Sequence, residues 1–178
     1  MRIIGGKYKG KKLKTFEGQE VRPTSDRARE SLFNILSSKV INCKFLDLCC
    51  GTGAVGLEAL SRGAREVYFN DLSKKSLEIA KCNILSVKED VKKITCLDAK
   101  SFIKSNTQTF DIIFFDPPYE FKDVEEILKL VVENDLLTEN GIFIYEHNAD
   151  KPSKQVEFLN LYDTRKYGIA KFDFYSKI

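Results

Sequence analysis

Phe45-Leu46-Asp47-Leu48-Cys49-Cys50-Gly51-Thr52-Gly53-Ala54-Val55-Gly56 is the stretch on which the fold turns. A short apolar run carrying one acid meets a G-x-G-x-x-G turn, and from Ala54 to about Arg62 the apolar Leu57 and Leu60 follow at helical spacing, so the segment reads as strand, tight turn and helix. The same alternation continues downstream. Glu66 to Asn70 reads as a strand, Ser73 as the cap of a helix with Leu77, Ala80 and Ile84 on one face, Val91 to Cys96 as a third strand, and Ala99 to Ser105 as a short helix. Ile112-Ile113-Phe114-Phe115 is apolar at every position, which suits a strand covered on both faces of a parallel sheet. Residues 122–133 read as helix and Gly141 to Glu146 as a fifth strand. Two segments, Leu159–Tyr167 and Ile169–Tyr175, flank Gly168 as an antiparallel hairpin. The pattern predicts a Rossmann-like α/β sheet, parallel except at its C-terminal end.

Upstream of this body, Pro23, Thr24, Ser25 and Asp26 form a capping cluster for a helix over about 25–38, with Ala28, Leu32, Phe33 and Leu36 at helical spacing. Residues 1–22 set lysines among Ile3, Ile4, Tyr8, Leu13 and Phe16, with glycines at 5, 6 and 10, and read as a short basic β-hairpin or extended arm. The expected organisation is therefore an arm, 1–22, on one globular unit, 23–178. Charge follows the same division. Residues 1–44 carry eleven basic and four acidic side chains, a balance of +7, which leaves −4 on the remainder of a 178-residue chain of net +3. No apolar run reaches the roughly 18 residues of a membrane span, and the N-terminal residues lack the apolar stretch of a signal peptide. Five cysteines without C-x-x-C spacing read as reduced thiols of a cytoplasmic protein. With a single histidine, His147, read as exposed and without a role, no metal site is expected.

The glycine turn lets backbone approach a ligand at a helix N-terminus, and it fits a dinucleotide and S-adenosylmethionine equally. Two acids bear on the choice. Asp71 closes the second strand and Asp98 follows the third, which places both at the carboxyl edge where open α/β sheets bind ligands. Asp71 can accept both ribose hydroxyl protons of either cofactor. Asp98 can accept from an adenine amino group, or it can simply cap the helix that follows.

Asp116-Pro117-Pro118-Tyr119 directly follows the doubly buried strand. The proline pair stiffens the backbone and removes two N–H donors, so carbonyl oxygens and the Asp116 carboxylate present acceptors, while Tyr119 offers a stacking face. That arrangement suits an exocyclic base amine, whose lone pair is delocalised into the ring and whose two protons need acceptors as nitrogen rehybridises toward attack. Asp116 then positions the amine more than it deprotonates it, because the proton becomes acidic only after methyl transfer. Cys49 and Cys50 admit a covalent reading, but amine methylation needs no thiolate adduct. Cys49 reads as end-of-strand core and Cys50 as lining beside the glycine turn.

Asp47-Leu48-Cys49-Cys50-Gly51-Thr52-Gly53 together with Asp116-Pro117-Pro118-Tyr119 resembles the class I S-adenosylmethionine-dependent amino-methyltransferases. The front end, Arg2-Ile3-Ile4-Gly5-Gly6 and then Arg22-Pro23-Thr24-Ser25-Asp26-Arg27-Ala28-Arg29-Glu30-Ser31-Leu32-Phe33-Asn34, resembles the RsmD family, which methylates the N2 amine of one guanine in bacterial 16S ribosomal RNA. The resemblance implies a seven-stranded sheet with a reversed final strand. It also implies a cofactor set of Asp47, Cys50, Gly51, Thr52, Gly53, Asp71, Leu72, Asp98 and Ala99, a catalytic set of Asp116, Pro117, Pro118 and Tyr119, and a monomer acting on 16S rRNA or an assembling small subunit. Many relatives carry Glu where this chain has Asp71; the shorter side chain keeps the carboxylate. Other amino-methyltransferases, acting on DNA adenine or a protein glutamine amide, are the alternative. Lys7, Lys9, Lys11, Lys12 and Arg22 are the expected RNA-binding residues of the arm, although a solvated lysine-rich hairpin would carry the same composition.

Overall fold

The computed structural model describes residues 1–16, 25–89 and 91–178. Its helices and strands follow in the order α1 (Asp26–Leu36), β1 (Lys44–Asp47), α2 (Ala54–Ser61), β2 (Glu66–Asn70), α3 (Lys74–Val87), β3 (Lys93–Thr95), α4 (Ala99–Ser105), β4 (Phe110–Phe115), α5 (Val124–Glu133), β5 (Leu137–Asn148), β6 (Asn160–Tyr167) and β7 (Ala170–Ser176). The strands form one sheet in the order β3-β2-β1-β4-β5-β7-β6. The β1, β2, β3, β4 and β5 pairings are parallel, and β7 runs antiparallel to both β5 and β6. The Rossmann-like expectation and its reversed final strand therefore hold.

Burial of the sheet on both faces explains the unbroken apolar run of β4. Ile112 and Phe114 join Phe45, Val67, Phe69 and Phe172 under α1, α2 and α3; Ile113 and Phe115 join Leu46, Tyr68, Phe143 and Tyr175 under α4 and α5. With a side-chain period of two, each residue of the run belongs to a different core from its neighbour.

Where boundaries differ from the sequence reading, polar sequence or loop geometry is the cause. The first helix stops at Leu36, and Ser37–Val40 tighten into a 3₁₀ turn. The first strand, read from the sequence as Phe45 to Cys49, is regular only to Asp47, and Leu48 N (to Phe114 O, 2.9 Å) and Cys50 N (to Asn70 O, 2.8 Å) still bond the flanking strands as the chain enters the glycine turn. The fifth begins at Leu137, earlier than expected, since Thr138, Glu139 and Asn140 hide its start; its register against β4 shifts between the Phe110–Leu137 and Ile112–Ile142 pairs.

The basic arm has one antiparallel bridge, Arg2 to Lys12, and is packed onto the body. Ile3 and Leu13 are buried in the α1–α3 core. Glu58 of α2, fully buried, accepts from the N–H groups of Ile4 (2.7 Å) and Gly5 (2.8 Å), and Ser61 bonds Gly5 O and Tyr8 N. These contacts satisfy arm backbone with α2, the helix that the glycine turn opens. Arg22, and the Pro23 and Thr24 of the capping cluster, lie outside the described residues; Ser25 caps α1 by accepting from Ala28 N.

Candidate active site

At the carboxyl edge of the sheet, where β1 and β4 lead the chain in opposite directions, a cavity of about 890 Å³ opens. Such a crevice is the ligand position of open α/β sheets. Each wall traces to a strand end.

Asp47 ends β1 almost wholly buried and accepts from Gly56 N at 2.8 Å, tying the first turn of α2 back to the strand. Burial pushes its carboxyl up to about 7; the Gly56 N–H opposes this, and the charges of Asp71 and Glu146 add to it. Gly51 and Gly53 take φ of +53° and +81°, conformations that strain any residue with a Cβ. Gly51 lines the cavity, as do Cys50 and Thr52. Gly53 does not. A Cβ there would face Ala80 and the Phe69 ring, so the turn needs a glycine at this position for its conformation. Cys49 and Cys50 both line the cavity, with Cys50 the more buried of the two. Burial pushes both thiols well above their ordinary range, with neighbouring carboxylates adding, which disfavours the thiolate that covalent chemistry needs.

Asp71 follows β2 with both carboxylate oxygens engaged: Oδ2 accepts from Gly51 N and Oδ1 from Ser73 N, each at 2.8 Å. It thus braces the glycine turn from the second strand while facing the cavity, beside the exposed Leu72. Asp98 caps α4, accepting from Ser101 N at 2.9 Å, and lines the same cavity with Ala99. The hydrogen bonds from Ser101 hold its carboxyl below the usual range. Capping and cavity-facing positions, alternatives in the sequence, coexist because one carboxylate offers several acceptor sites.

Asp116, Pro117, Pro118 and Tyr119 form the lip beyond β4, and all four line the cavity. A turn closed by Phe121 N on Pro118 O (2.8 Å) shapes it, and the Lys151 ammonium donates to Tyr119 O. Asp116 is recessed. Burial raises its carboxyl well above the ordinary range, and the charges of Glu146 and Asp47 add to that.

Sequence reasoning missed several residues here. Glu146, 3 % exposed near the end of β5, faces the cavity. Its signal was a lone acid closing an apolar strand, the same signal that marked Asp116. Arg29 is fully buried, pairs with Asp26 (3.0 Å) and also lines the cavity. It sits four residues before Phe33, on the apolar face of α1. Asn70 ties three strand ends together, donating to Leu48 O (3.0 Å) and Leu97 O (2.9 Å) while accepting from Thr95 Oγ1. His147 is a correction: it is 3 % exposed, 2.8 Å from the Asp173 carboxylate, and stacked on Tyr145.

On the arm, Lys9, Lys11 and Lys12 are exposed. Lys7 is tied to Glu89 at 2.6 Å, and the hydrogen bonds to Glu89 and Tyr8 raise the ammonium above the ordinary lysine range. Of these four described lysines, Lys7 is the one held in an ion pair with a described residue.

Sheet order, reversed β7 and an acid at successive strand ends around a glycine turn define the Rossmann-like class I methyltransferase fold. Comparison with known proteins places the chain more narrowly. It belongs to the family described as conserved hypothetical protein 95, whose model matches residues 1–176, and this is the RsmD family of the resemblance. The chain is similar to ribosomal RNA small subunit methyltransferase D of Haemophilus influenzae, 34% identical over 98% of this chain and 93% of that one. It is also similar to the solved structure of the Escherichia coli protein yhhF, 30% identical with a TM-score of 0.89, covering 99% and 97% of the two chains. At the level of fold alone it resembles SMU.776 solved in complex with SAH, 21% identical with a TM-score of 0.68, over 85% of this chain and 48% of that one.

Proposed function

We propose that the chain transfers a methyl group from S-adenosylmethionine to the exocyclic N2 amine of a guanine in small-subunit ribosomal RNA, acting as a cytoplasmic monomer. The observation that carries the cofactor reading is where the glycine-turn N–H groups point. A dinucleotide would need them for its pyrophosphate. Here Gly51 N is spent on Asp71 and Gly56 N on Asp47, and the cavity is ringed by Asp47, Asp71, Asp98, Asp116 and Glu146. Among the described residues that line it, Arg29 is the one basic side chain, so the acids prevail. That balance disfavours a row of phosphates and suits a cation, whose charge would in turn ease the raised carboxyls of Asp47 and Asp116. S-adenosylmethionine, when bound, supplies a methyl group activated on a positive sulfonium.

This chain's residues then bind and align. Asp71 is placed to accept from ribose hydroxyls and Asp98 from the adenine amine. Asp116 and the carbonyls of the proline pair accept from the two target N–H groups, and Tyr119 stacks on the base. The N2-guanine assignment rests on the family resemblance, and the RNA assignment also on the name of the Haemophilus influenzae relative. Residues 1–22 are proposed as the part that grips RNA phosphates and 23–178 as the part that binds cofactor and base.

The test is tritiated methyl transfer to naked 16S rRNA, assembled small subunits and duplex DNA. Label on guanine N2 in either RNA arm is expected; label on DNA alone refutes the reading. Asp116→Ala should lower turnover about a hundredfold or more while leaving S-adenosylmethionine affinity unchanged. Because burial raises the Asp116 carboxyl, wild-type transfer should climb with pH as it ionises, and Asp116→Asn should flatten that rise.

A further inference from the structure

Asn83 of α3, 2 % exposed, touches no expected ligand, yet every polar group of its side chain is committed. Its Oδ1 accepts from Lys14 N at 2.7 Å, and its Nδ2 donates both to Lys14 O at 3.1 Å and to Thr52 O at 2.9 Å. The amide thus stands to Lys14 as a neighbouring strand would, satisfying N–H and C=O together, and spends its second donor on the glycine turn. Among side chains only an amide offers one acceptor and two donors in a single plane, so no other residue type makes all three bonds. The two segments that it joins meet at the cavity: Thr52 lines one part of the wall, and Thr15 and Phe16, directly after Lys14, line another. Lys75 of the same helix holds its ammonium 5.5 Å from the Phe16 ring centre, a second link from α3 to the end of the basic segment.

We propose that Asn83 is a positioning residue that couples the basic N-terminal segment to the glycine turn, so that filling the cofactor cavity orders residues 14–16 and ordering those residues tightens the cofactor. The inference rests on the cofactor reading given above. Reciprocity follows from linkage: whatever cofactor does for the order of the segment, a ligand that holds the segment does for cofactor affinity. RNA on the exposed lysines 9, 11 and 12 would therefore raise cofactor retention without touching it.

The test is hydrogen exchange of the peptide around Lys14, whose amide proton lies on Asn83, with calorimetric titration of S-adenosylhomocysteine as the probe. In wild type, saturating probe should slow exchange at Lys14 about tenfold, a typical coupling. In Asn83→Leu, basal exchange should rise, the probe-dependent slowing should vanish, and the probe Kd should rise about fivefold or more. Asn83→Asp keeps an acceptor for Lys14 N but sets an oxygen against Lys14 O and Thr52 O; it should raise basal exchange less than Asn83→Leu and still lose the response to probe. A role confined to stability would lower the melting temperature of the variants and leave the response intact, which overturns the inference. Probe that binds wild type without slowing Lys14 also overturns it, while the cofactor reading stands. No binding to wild type overturns both.

Discussion

Replacing Gly56 by alanine should destabilise the protein through a single clash, and a second substitution should relieve it. An ideal Cβ on Gly56 falls 2.3 Å from Phe69 Cε1 and 2.8 Å from Cζ, so the ring must recede about 1.1 Å to regain a 3.4 Å contact. Phe69 is fully buried in β2, within the core under α2 and α3, and protein interiors are packed closely enough that such a shift must displace neighbours. Overpacking of this kind costs about 1–3 kcal/mol. Gly56 lies inside α2, so alanine returns about 1 kcal/mol of helix propensity, and the net expected loss is about 0–2 kcal/mol. Phe69→Leu alone leaves a cavity and should cost about 1–2 kcal/mol. In the double variant the new methyl group enters the volume that the ring vacated, so the loss should fall short of the sum by about 1 kcal/mol. Urea unfolding of the four proteins, compared at constant m-value, measures that coupling. Losses additive to within about 0.5 kcal/mol would show that the helix and strand do not meet as described, and would remove the close-approach account of the third glycine.

Three further outcomes are expected. Asp71→Ala should weaken S-adenosylmethionine binding by about 1.5–3 kcal/mol, since it removes the ribose acceptor and also the brace on Gly51; calorimetry showing an unchanged Kd contradicts this. Charge reversal of Lys9, Lys11 and Lys12 should reduce RNA methylation and flatten the log–log salt dependence of RNA affinity by roughly 0.7 to 0.9 for each phosphate no longer neutralised, with cofactor binding intact; an unchanged slope assigns the segment to structure alone. Asp47, lifted by burial from 3.8 to about 7, binds a proton in the folded state that the unfolded chain has released across that window, so its contribution to stability is present below the window and lost as pH rises through it. Thermal melts of wild type against Asp47→Asn should therefore move in favour of the variant between about pH 4 and pH 8, and a difference that moves the other way refutes the shift.

The sheet was legible because its signals are local. Period-two burial of Ile112–Phe115, the glycine turn and the Ser73 cap each act within a few residues, and the elements they mark fall where expected. Asp71, Asp98 and Asp116 were legible for the same reason, being polar residues where apolar strands stop. The supports of the site were not. Asn70, Asn83 and Arg29 are polar residues inside segments that read as ordinary strand or helix, and their value lies in partners 22 to 69 positions away or in a buried wall that only the packed chain creates. His147 was misplaced for the same reason: its partner is Asp173, delivered by a strand that inserts beside β5 only after the chain has reversed.

That insertion has a consequence for how the protein is made. β6 emerges before β7, yet it pairs with β7, which lies between it and β5. Until residues 170–176 leave the ribosome, β6 is a strand without a sheet, and β5 presents an unpaired edge. A premature stop ahead of Ala170 therefore deletes two strands' worth of pairing, not one, and strips His147 and Glu146 of the neighbours opposite them, Lys171 and Phe172. The strand that faces Glu146 and His147 across the sheet is thereby supplied only after β6 has been made, long after the glycine turn and first acids of the cavity.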